Sequence, residues 1–171
     1  MIFNLFRKPA VAPDLVDQAY ASIVAQSRQV KFYADWGVPD TVTGRFDMIS
    51  LHLALLLHRL KHEKSARAFT QAVVELFFKD MDRSVRELGV TDLGVPKKVR
   101  KMGEVFYGLA GALDAGLDAK DAAAIESVLA RNVYAGPNAG AAHLAAYVLE
   151  QIDTLASRST SELISSREAA A

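Results

Sequence analysis

The sequence predicts an all-α protein, a single-domain compact bundle of about six helices. Three observations lead there. Apolar residues recur with the helical period nearly everywhere, and no stretch alternates as a half-buried strand does. Breaks carrying Gly and Pro separate the periodic stretches by only a few residues. The chain has 171 residues and is 51% apolar, enough for one well-buried core and short for two.

The first helix opens at Pro13 and Asp14, with Pro suited to the first helical position. It sets Val16, Ala19, Tyr20, Ile23 and Val30 on its inner side, and Gly37-Val38-Pro39-Asp40 then breaks the pattern. A second helix, 43–62, carries Phe46, Ile49, Leu53, Leu56 and Leu60 in one stripe, widened by Leu51, Leu55 and Leu57. A helix apolar on so many sides belongs at the centre of the bundle. The third, 65–88, repeats Phe69, Val73, Phe77, Met81 and Val85 at four-residue spacing and stops at Gly89, where a positive φ is needed. The fourth, 96–113, buries Val99, Met102, Phe106, Leu109 and Leu113, while Gly103 and Ala110 on one face admit a close neighbour. A fifth covers 118–134 and ends at Gly136-Pro137; a sixth covers 138–155. The domain therefore runs over 14–157, between a flexible N-terminal segment, 1–13, and a Ser/Thr-rich tail, 158–171, expected to be mobile.

Twenty basic and twenty acidic side chains cancel, so any electrostatic function is local and DNA is not an expected partner. The absence of cysteine removes disulfides, thiolate nucleophiles and cysteine-held metals together. The longest uncharged apolar run, 48–57, spans roughly 15 Å as a helix, half a bilayer core, and reads as buried. The opening MIFNLFRKP puts apolar residues before basic ones, the reverse of a secretory signal. The motifs of nucleotide binding and of the common hydrolases are missing, and neither a small-molecule substrate nor a cofactor is expected.

The stretch 79–107 is the most unusual. It closes the third helix, crosses a Gly-containing turn and opens the fourth with Lys97, Lys98, Arg100 and Lys101 directly after Pro96. Cations at a helix N-terminus act against the macrodipole by some tenths of a kcal/mol each. The misplaced charge suggests that something anionic approaches. Arg83 and Arg86 extend the patch across the turn, and Asp92 and Glu104 partly neutralise it; the plain alternative is a solvated charged face. Phe77 and Phe78 point about 100° apart on a helix. Phe78 is thus the candidate for lining an apolar groove, the alternative being that both rings are core.

Other polar residues read as structural. Asp80 falls inside the apolar stripe and requires a cationic or multi-donor partner, since burying a lone carboxylate costs several kcal/mol. Arg45 is the candidate for that ion pair, with Arg83 and Arg59 also within reach. His58 and His62 stand at metal-ligand spacing, but nothing completes such a site and Arg59, Lys61 and Lys64 repel a cation, so they are read as solvent-facing or capping. His52 and His143 are read as partly buried structural residues.

At these residues the chain resembles the ubiquinol–cytochrome c chaperone family. The matching pieces are Gly37-Val38-Pro39-Asp40-Thr41, Gly44-Arg45-Phe46-Asp47, and Asp80-Met81-Asp82-Arg83-Ser84 running through Asp92-Leu93-Gly94-Val95-Pro96-Lys97-Lys98 to Lys101-Met102. Phe106-Tyr107-Gly108 and Leu129-Ala130-Arg131-Asn132-Val133-Tyr134 continue the resemblance, which covers about 30–155. It implies a non-enzymatic assembly factor that holds newly made cytochrome b and supports assembly of respiratory complex III, in a bacterial member without the long mitochondrial leader. It carries no catalytic residues. The expected place is the cytoplasm, extending to the inner face of the plasma membrane. A ribosome- or RNA-binding helical module using the basic patch is the alternative; an enzyme built on Asp80 and a histidine is a third and weaker reading.

Overall fold

A computed structural model describes residues 11–165; residues 1–10 and 166–171, including most of the N-terminal segment and the end of the tail, lie outside the described residues. The described residues form eight α-helices: α1 Pro13–Ser27, α2 Val30–Ala34, α3 Val42–Leu60, α4 Arg67–Glu87, α5 Val95–Ala119, α6 Ala122–Asn132, α7 Ala139–Ser157 and α8 Thr160–Ser165, with a 3₁₀ turn, Lys64–Ala66, leading into α4. The described residues include no strand.

Local chemistry sets many of the helix ends. The Thr41 hydroxyl accepts from the Gly44 amide, Asp121 from the amides of Ala123 and Ala124, and Asn138 from that of Gly140, so α3, α6 and α7 each begin on a side-chain cap. α4 ends in a Schellman turn: Gly89, at φ +80°, donates to Arg86 O and Val90 donates to Val85 O. The α2–α3 loop is pressed against two helix starts. A Cβ on Gly44 would stand 1.9 Å from Pro39 O, and one on Gly140 would stand 1.8 Å from Trp36 O. The Tyr134 hydroxyl also donates to Trp36 O at 3.0 Å.

α3 is the central helix, packed against α1, α4, α5 and α7. Its two sides serve different clusters. Met48, Leu51 and Leu55 join Phe32 and residues of α5, α6 and α7. Phe46, Ile49, Leu53, Leu56 and Leu60 join α1, α4 and Phe106. Burial of such side chains is worth about 2 kcal/mol each, which makes the two clusters the main source of stability. Arg59 closes the far end by donating to the carbonyls of Leu155 and Arg158.

The structure departs from the sequence reading in four places. Val30 is 75% exposed, because the first helix stops at Ser27 and α2 starts a new direction. α5 runs on to Ala119 instead of ending at 113: nothing breaks the period, and Lys120 turns the chain in a left-handed conformation. The fifth helix begins at Ala122 and not at 118, because Asp121 is its cap. The segment after 157 carries α8, whose Leu163 is buried and whose Glu162 takes bonds from Ser159.

Candidate functional site

α4 and α5 lie side by side, joined by the turn that holds Gly89 and Gly94. Between them four rings form a graded ladder. Phe77 and Phe106 are fully buried, 5.1 Å apart; Phe78 is half-buried, 5.4 Å from Phe77; and Tyr107, 6.1 Å from Phe78, is 58% exposed. Phe78 can sit this close because Gly103 has no side chain: a Cβ there would stand 3.1 Å from its ring. Phe78 thus lies on the edge of the core, while its neighbour Phe77 is wholly inside.

Phe78 and Tyr107 line an open groove of about 440 Å³ with Leu57, Val74, Thr70, Gln71 and Glu75. Its floor is apolar and its α4 rim is polar. Sequence reasoning picked out Phe78 but missed Tyr107, Val74 and Leu57. For Tyr107 a signal existed, since it neighbours the stripe residue Phe106 and so points about 100° off the core direction. Nothing local indicated that α3 contributes Leu57.

The basic residues divide into paired and unpaired. Arg86 is held by Asp82 at 2.7 Å and Asp92 at 2.5 Å, and its pKa is raised first by the bond to Asp82. Arg83 is tied to Asp80. Arg100 and Lys101 share Glu104, at 3.9 and 3.3 Å. Among the described residues Lys97 and Lys98 are exposed and have no acidic partner. The first turn of α5 has no acidic residue and no side-chain cap, so these cations do stand against an uncompensated helix dipole. Two large apolar side chains protrude beside them, Leu88 at 53% and Leu93 at 96% exposure.

The Asp80–Arg45 pair does not form. Arg45 instead binds Asp40, five residues back, at 2.8 Å, since both project from the start of α3 into solvent. Asp80 is held by Arg83 one helical turn on and by the Tyr20 hydroxyl of α1, which donates at 2.9 Å. Burial and then this bond push the Tyr20 pKa up. The pair therefore joins α1 to α4.

The histidines are dispersed. His58 is not solvent-facing: its ring lies between α3 and α5, 2.8 Å from Asp114. Lys61 places its ammonium against Asp114 at 3.0 Å and Asp118 at 2.9 Å, so a cation already fills that acidic pair. Bonds from Lys61 and then His58 hold Asp114 below the usual carboxylate range. His62 is exposed, and so is His143, which stacks on Trp36 at 5.9 Å where a partly buried residue was expected. His52 is buried; its Nδ1 donates to Met48 O, and its Nε2 accepts from the Tyr147 hydroxyl at 2.8 Å. Burial pushes its pKa down to about 4.

A helical bundle whose unusual features are an open aromatic groove and a neighbouring cationic, apolar-tipped turn has the make-up of a protein that grips another macromolecule. A sequence model of the ubiquinol-cytochrome C chaperone family matches residues 34–170, and the chain belongs to that family. Ubiquinol-cytochrome-c reductase complex assembly factor 1 of Xenopus laevis is 24% identical over 103 residues, 60% of this chain and 52% of that protein. The chain thus matches about half the length of that curated relative. The crystal structure of the Cbp3 homolog from Brucella abortus is 45% identical, covers 96% of this chain and 93% of its own, and superposes with a TM-score of 0.83. This relative is bacterial, in keeping with the expectation from the resemblance.

Proposed function

We propose that this chain is a non-enzymatic chaperone that binds newly made cytochrome b and supports assembly of complex III. The observation that carries the reading is the groove between α4 and α5, where Leu57, Val74, Phe78 and Tyr107 are open to a partner. Cytochrome b is an apolar helical membrane protein that must be shielded before assembly. A groove of this size takes a few large side chains from one face of a client helix, with Gln71 and Glu75 left to its polar rim. Half-exposed aromatic rings in such a place supply large contact area at low entropic cost. The working place that follows is the cytoplasm at the inner face of the plasma membrane, where such a client is inserted. In the described residues no helix is long and apolar enough to cross a membrane itself.

The test is a deletion strain complemented with variants. Deletion should lower cytochrome b and complex III and leave other respiratory complexes largely intact. Tyr107→Ala and Val74→Gln, both at the groove surface, should fold normally and recover cytochrome b poorly on affinity capture. Normal cytochrome b levels in the deletion strain would count decisively against the proposal.

A further inference from the structure

We propose that the α4–α5 turn is a docking element for an anionic bilayer surface, with Leu93 and Leu88 entering the interface and Lys97, Lys98, Arg100 and Lys101 meeting the headgroups. This rests on the peripheral placement above for its cellular setting, and its physical basis is separate from the groove.

Three observations converge on the turn. The first is charge. Residues 93–103 hold four cations and no anion in a chain whose net charge is zero. The nearest acids are already engaged, Asp92 by Arg86 and Glu104 by Arg100 and Lys101, which leaves Lys97 and Lys98 unmatched among the described residues. The second is apolar exposure. Leu93, at 96%, is the most exposed of the large apolar side chains among the described residues and stands two residues before α5; Leu88, at 53%, closes α4 on the other side of the same turn. The third is order. The Schellman bonds at Gly89 and the bonds from Gly94 and Val95 to Thr91 O hold the turn in one shape, so the leucines are presented without a conformational search.

Charge complementarity alone would suit RNA equally well. The leucines decide between the two. A phosphate backbone offers nothing to a fully exposed leucine, whereas an interfacial element pairs apolar side chains that enter the acyl boundary with basic ones at headgroup level. The fold also gains nothing from the arrangement, since α5 begins uncapped with its cations against its dipole.

The experiment is flotation of the full-length chain with vesicles of pure phosphatidylcholine, or of phosphatidylcholine with about 30% phosphatidylglycerol. The chain should float with the anionic vesicles only, and less as salt rises. Lys97→Gln with Lys98→Gln should weaken binding on the order of twentyfold, roughly fivefold per lysine. Leu93→Ser should weaken it roughly tenfold. All three positions are exposed, so circular dichroism should be unchanged. Equal binding to neutral vesicles, or full binding by the lysine variant, overturns the proposal. So does tighter binding to a structured RNA than to vesicles with Leu93→Ser indifferent, which assigns the patch to RNA. No client is present, so failure here leaves the cytochrome b reading untouched, and the deletion strain tests that reading alone.

Discussion

Asp47 sets up a sharp test of the energetics. It lies on the central helix α3, is 6% exposed, and has no hydrogen-bond or ion-pair partner among the described residues. Burial pushes its pKa up from 3.8 to about 7. The folded protein therefore holds this proton more tightly than the unfolded chain. Below pH 3.8 both states are protonated and the group is neutral in its effect; as pH rises towards 7 stability is lost, and above 7 the whole penalty is present. Three pH units correspond to about 4 kcal/mol. His52 works in the opposite sense. Its pKa is depressed from 6.5 to about 4, so its stability is present above 6.5 and is lost as pH falls towards 4, by about 3 kcal/mol. Between pH 4 and 6.5 the two slopes have opposite sign and nearly cancel. Asp47→Asn removes one of them. Urea unfolding followed by far-ultraviolet circular dichroism at several pH values from 4 to 8 should show a variant equal to the parent, within a constant offset, at pH 4. Its advantage should grow to about 4 kcal/mol at pH 8. A difference between the two proteins that does not change with pH would refute the assignment of a buried, neutral Asp47.

Two further outcomes concern the scaffold. Tyr20→Phe removes a hydrogen bond to the Asp80 carboxylate and should cost about 2 kcal/mol, read as a lower melting temperature. Asp80→Asn should cost a similar amount, and the double variant less than the sum; additive losses would show the two residues to be uncoupled. Gly140→Ala forces a methyl into the Trp36 carbonyl and should destabilise by about 1–3 kcal/mol, with unchanged stability showing that the α2–α3 loop yields freely.

What the sequence determined by itself was whatever depends on neighbours along the chain. The four-residue repeat of Phe69, Val73, Phe77, Met81 and Val85 reappears as the buried face of α4, because burial of a helix side is set by a period that any window of the chain displays. Gly89 as the end of that helix is equally local. So is the cationic start of α5, whose first turn holds no acidic residue. Only the tertiary structure chose partners across the fold. Arg45 took Asp40 rather than Asp80, His58 found Asp114 on another helix, and Asp47 was buried although it carries a carboxylate. The groove belongs to the same class: Leu57, Val74, Phe78 and Tyr107 come from three helices and share a cleft because of how those helices lie against one another. Packing between helices sums weak contacts over residues distant in sequence, and no single segment carries that sum.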